Sequence, residues 1–172
     1  MGNNASNYKV ITVTPTLSTD AYSNDDVFFA ATEIPNAVIG EQGCSMLRGI
    51  TILNENDVAH DHDLVFMEVQ KNLGTINDVV GSGSLWTNAL AKAAGVLGIV
   101  SIDWSTNSVD MVNNLIYHQS FGNHAAAETS GLPLMLQATG GSTSVYVAGI
   151  SRGGTPTTAA DDYEYAFHIQ LR

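Results

Sequence analysis

Basic residues are the first scarcity. Lys9, Arg48, Lys71, Lys92, Arg152 and Arg172 are scattered singly against 17 acids, for a formal charge of −11 over 172 residues. Phosphate binding depends on clustered cations that displace counterions, so nucleic acid is not an expected partner. An anionic membrane surface is excluded on the same ground. Cysteine is scarcer still: Cys44 stands alone, and no disulfide can form within the chain. It opens an apolar stretch with no evident base beside it, so burial as a small hydrophobe is the expectation. No apolar run reaches the roughly 18 residues of a membrane span. The opening MGNNASNYKV has neither the basic region nor the apolar core of a secretory leader. Charged residues make up 13% of the chain, against about 25% in typical soluble domains.

Small polar residues fill the gap, with 14 Ser, 15 Thr, 14 Asn and 16 Gly. Their side chains compete for backbone hydrogen bonds, which disfavours helices and favours turns and β structure. Polar residues 1–7 read as a flexible arm, and 8–172 as one β domain. Strands are expected at 8–14, 27–31, 45–53, 63–70, 96–102, 111–117, 132–138, 144–151 and 163–171. Gly, Asn, Asp and Ser clusters separate them, which predicts an antiparallel sandwich or barrel rather than βαβ units. Residues 163–171 alternate without a miss, Tyr163, Tyr165, Phe167, Ile169 and Leu171 against Glu164, Ala166, His168 and Gln170. One short helix is expected in TNALAKAA, capped by Ser84 or Thr87 and ended by Gly95.

Several strands are apolar at adjacent positions, among them Phe28-Phe29, Leu64-Val65-Phe66-Met67 and Val145-Tyr146-Val147. Adjacent strand residues point to opposite faces, so these strands are greasy on both. A two-layer sandwich buries only its inner faces, and the outer ones need cover from a loop, a helix, a second subunit or a larger surface.

Candidate chemistry is sparse. Gly149-Ile150-Ser151-Arg152-Gly153 fits the nucleophile-elbow pattern, with Asp161, Asp162 and His168 downstream. An elbow needs a helix at once, however, and Gly154-Thr155-Pro156 predicts a loop. His60 and His62 share one side of an extended chain and could chelate a metal, as in the first cupin motif. Its spacing to Glu68 and Gly74 is wrong and the second motif is missing, so a solvated hairpin turn is the simpler expectation. His118, His124 and His168 are scattered. Asp103, Ser105, Asn107 and Asp110 hint at a calcium loop but lack its glycine and closing glutamate. Gly140-Gly141-Ser142-Thr143 lacks the lysine of a phosphate loop. The pairs Asp25-Asp26 and Asp161-Asp162 read as solvated turns. No catalytic residue, metal or cofactor is therefore expected. Trp86, Trp104 and Tyr117 are the aromatic residues an alternative, carbohydrate-binding sandwich would expose.

The segments KVITVTPTLSTDAYSNDDVFFAATEIPNAV, LRGITILNENDVAHDHDLVFMEVQKNLGTIND, GVLGIVSID and LPLMLQATGGSTSVYVAGISRGGTPT resemble, in order and spacing, small virion proteins of tailed bacteriophages. None of these segments carries a known chemical role. The resemblance implies a β-sandwich of jelly-roll type on the capsid exterior, a decoration or cement protein. Its implied partners are the major capsid protein and further copies of itself. On that reading Tyr8, Phe28 and Phe29 are expected at an assembly contact.

Overall fold

A computed structural model describes residues 7–82, 87, 92–120, 131–153 and 158–171. In chain order the elements are β1 (Tyr8–Val13), β2 (Val27–Ile34), β3 (Cys44–Asn54), β4 (His62–Met67), β5 (Val96–Ile102), α1 (Trp104–Asn107), β6 (Ser108–Asp110), β7 (Leu115–Ser120), β8 (Leu134–Gln137), β9 (Val145–Ser151) and β10 (Tyr163–Leu171). The alternating tail forms β10, and its apolar set points inward as the period-two pattern requires. It lies between β1 and β3, antiparallel to both.

Two antiparallel sheets result. Sheet A runs β1-β10-β3-β7-β6, with β8 pairing the first half of β3; sheet B runs β2-β9-β4-β5. The pairs are nested: β1 with β10, β2 with β9, β3 with β7 and β8, β4 with β5. Such nesting arises when a long two-stranded ribbon folds over itself, and it is the jelly-roll arrangement. The sandwich expected from the sequence is therefore the observed fold, in its jelly-roll form. Both sheets feed one core, with Ile50, Ile52, Tyr165 and Phe167 from sheet A facing Phe66 and Val147 from sheet B.

Several boundaries differ from the expectation. The strand expected at 111–117 is a hairpin, with Met111 to Asn114 forming the turn between β6 and β7. Asp110 Oδ1 holds that turn by accepting the Val112 N–H at 2.7 Å. The helix expected before Gly95 is seen at residues 92–94. Gly95 ends it at φ 59°, the left-handed conformation glycine adopts without penalty. Ser84 lies outside the described residues, and so do residues 1–6 of the arm.

The outer face of sheet B is apolar, as the adjacent hydrophobic residues implied, and the chain covers it itself. Val27, Ala31, Val65, Met67 and Ala148 form a second, smaller core with Leu73 and Ala94. The covering segment is pinned along the free edge of β2. Val27 N–H donates to Asp78 O at 2.9 Å, Asn77 N–H to Val27 O at 2.9 Å, and Val80 N–H to Asp25 O at 2.9 Å. A Cβ on Gly74 would sit 3.1 Å from Val27 Cγ2, so the segment lies almost against the strand.

Candidate functional site

The densest group of ionisable and aromatic side chains lies where the chain crosses from β3 in sheet A to β4 in sheet B. This connection is an arch between layers, not the solvated hairpin expected at His60 and His62. Both imidazoles are carried inward and buried. His60 packs 4.9 Å from the Phe28 ring, and His62 packs 4.9 Å from the same ring and 5.9 Å from Tyr163 and Tyr165.

His62 Nδ1 is 2.7 Å from His60 O, an acceptor, so Nδ1 carries the proton and donates. Nε2 then accepts from the Tyr165 hydroxyl at 2.9 Å. Both nitrogens are engaged and none is left for a metal. Burial pushes the His62 imidazole down to about 3, against a smaller opposing effect of the His60 carbonyl bond. Burial alone pushes His60 down to about 4. Both rings are neutral at neutral pH. Among the described residues no group of three His, Cys, Asp or Glu could hold a metal ion.

Beside this arch is a cleft of about 280 Å³, lined by Ala59, His60, Asp61, Trp104, Ser105, Arg152 and Gly153. Asp103 caps α1, accepting Ser105 N–H at 2.9 Å and the Ser105 hydroxyl at 2.6 Å. The residues read as a calcium-loop hint thus form a helix cap and, at Asp110, a hairpin turn. Asp61 Oδ1 accepts the Trp104 N–H at 2.9 Å. Arg152 Nε donates to Asp63 at 2.7 Å, and Nη1 donates to Asp25. Asp26 is buried rather than solvated, and its carboxylate accepts Ser23 N–H at 2.6 Å.

Ser151, the candidate of the elbow pattern, is buried. It is the last residue of β9, paired with His62 across the ladder, with its N–H bonded to Asp26 O at 2.8 Å. Gly149 serves packing: a Cβ there would fall 2.5 Å from the Phe29 ring. His168 lies on the outer face of sheet A, away from this arch. There His118 and His168, far apart in sequence, meet through Thr51, whose Oγ1 is 2.8 Å from His118 Nδ1 and 2.9 Å from His168 Nε2. The Tyr8 hydroxyl is 2.5 Å from His168 Nδ1. Burial, and then the neighbouring His118, hold His168 below its ordinary range. No local pattern signals this pair, because the register of three strands creates it. His124 lies outside the described residues.

The residues expected at an assembly contact separate. Phe28 and Phe29 are fully buried in the main core and present no surface to another chain. Expectation and structure part at a bulge: the β2–β9 register shifts between Val27 and Phe29, so two adjacent rings turn inward together. Tyr8 is 49% exposed, on the edge strand β1. Trp104 and Tyr117 are buried and packed against each other with ring centroids 5.5 Å apart and planes tilted by 52°, so they form no open aromatic platform; Trp86 lies outside the described residues. Cys44 is exposed, not buried, because it begins β3 with its side chain on the outer face.

Exposed apolar side chains follow a rule. Among the described residues, those that lie in strands all lie on strands with one hydrogen-bonded neighbour: Tyr8 and Val10 on β1, Val96 and Ile99 on β5, Val109 on β6, Met135 on β8. The fourth sheet end, β2, carries none, and it is the edge its own chain closes. Met111 and Val112 extend the β6 patch into the hairpin turn.

Fold and arch together define a jelly-roll β-sandwich whose buried polar groups are largely mutually paired. The chain matches no protein-family model, and no curated protein matches it.

Proposed function

We propose that this chain is a non-enzymatic structural protein of a tailed-phage particle, a decoration or cement protein that binds the outer capsid surface beside copies of itself. The observation that carries the reading is that, among the described residues, every exposed large apolar side chain that lies in a strand lies on one of the edge strands β1, β5, β6 and β8. An edge strand offers unpaired backbone groups, and natural folds usually blunt it with charge, proline or cover. These edges carry Tyr8, Val10, Val96, Ile99, Val109 and Met135 instead. Edges built this way suit lateral association, where many modest contacts repeated around a symmetric shell add up.

The charge of −11 suits the side of a shell that faces away from packed DNA. The resemblance to virion proteins supports the major capsid protein as the partner. The metal reading gains nothing from the geometry, because His62 has no nitrogen to spare, and Trp104 and Tyr117 form no exposed aromatic platform of the kind a fibre or adhesin module would present.

The test is binding of purified protein to shells of the source phage that lack it. Saturable co-sedimentation, ordered density on the outer surface, and a higher shell-disruption temperature are the expected results. A protein that stays in the supernatant at all concentrations and adds no density overturns the proposal.

A further inference from the structure

Three buried side-chain atoms near the arch have no hydrogen-bond partner: His60 Nε2, Trp104 Nε1 and Ser151 Oγ. The first two belong to residues that line the 280 Å³ cleft and are each 2% exposed. An unpaired buried donor or acceptor costs about 1–3 kcal/mol, so a fold rarely keeps two at one place without something to satisfy them. Two further groups at the cleft are only partly used. Asp61 uses Oδ1 on the Trp104 backbone N–H, and Oδ2 has no partner among the described residues. Arg152 uses Nε and Nη1 on Asp63 and Asp25, which leaves Nη2.

We infer that this cleft is a binding site for one ring of a neutral polyhydroxylated molecule, a monosaccharide unit. The donor and acceptor sets decide the class. The Trp104 indole can only donate and demands an acceptor, which an ammonium or metal cation does not offer. Asp61 can only accept, and with Asp25 and Asp63 it outnumbers the single Arg152, which opposes an anion. A hydroxyl both donates and accepts, so adjacent hydroxyls satisfy the indole and the carboxylate together. The volume sits just below the about 300–1,000 Å³ of drug-sized pockets, which fits one ring and not an extended chain. The neutral His60 adds no charge.

Trp86→Phe leaves Trp104 as the single indole, and its N–H resonance in ¹⁵N-labelled protein reports the cleft directly. Titration with D-glucose, D-galactose, D-mannose and N-acetyl-D-glucosamine is expected to give a saturable shift with at least one sugar, in the millimolar range. Sodium phosphate and choline chloride are expected to give none. Asp61→Asn keeps an oxygen for the Trp104 backbone N–H and turns the second acceptor into a donor; at unchanged melting temperature it is expected to weaken binding at least tenfold. A shift with phosphate or choline alone overturns the assignment. So does an indole that responds to no sugar and contacts only a trapped water, and so does sugar binding unaffected by Asp61→Asn.

Discussion

The outer faces of the two sheets solve the same problem in opposite ways. Sheet B places Val27, Ala31, Val65, Met67 and Ala148 outward, and the chain folds Leu73 and Ala94 over them. Sheet A places Thr51, His118, His168, Arg48 and Gln170 outward, where they bond to one another. Arg48 Nε, for instance, donates to Gln170 at 2.8 Å. An apolar outer face draws a lid from its own chain, whereas a polar one is finished by side-chain pairs and water. Beyond the β2 edge that the lid closes, neither device reaches the edges, and those keep the exposed apolar residues of the strands.

The largest expected effect lies beneath both faces. Phe28→Ala should cost about 3–5 kcal/mol in denaturant unfolding, as a ring removed from a closed core. A loss below about 1 kcal/mol would return Phe28 to the surface. Next is the lid: Leu73→Ala should cost about 2–5 kcal/mol, the range for a buried leucine. A near-neutral result would mean that the lid does not seal sheet B.

Acid should separate the interior imidazoles from the surface pair. The unfolded chain protonates His60 and His62 near the ordinary 6.5, and the folded chain only near about 4 and about 3. Below pH 6.5 the unfolded state therefore binds more protons, and stability falls as pH falls until the folded values are reached. His62 alone supplies a slope approaching about 1.4 kcal/mol per pH unit. His60, and to a smaller extent His168, act in the same sense. Denaturant midpoints at pH 7, 5.5 and 4.5 check this, and a flat profile would contradict the buried placement of His62. The smallest effect belongs to the open face, where His118→Ala should change stability by no more than about 0.5 kcal/mol. Most of the acid slope should survive it.

Local pattern carried much of this fold. Period-two alternation located β10, and the bounds of β5 and β10 are those the sequence predicts. The paired hydrophobic residues of β4 correctly announced an apolar outer face on sheet B. What covers it was not legible, since Leu73, 75 residues from Ala148 in the chain, leaves no local trace. Phe28 and Phe29 were misread because a bulge breaks the alternation that strand reasoning assumes. His60 and His62 were misread because only the sheet order shows that their connection crosses between layers. The edge rule was equally hidden, since a strand is an edge only relative to partners elsewhere in the chain.

Hydrogen–deuterium exchange of the free and shell-bound protein tests the central claim most directly. The account predicts new protection along β1, β5, β6 and β8, with β2, β4 and β9 equally protected in both states. Unchanged exchange at all four open edges, or new protection confined to the lid over sheet B, would contradict it.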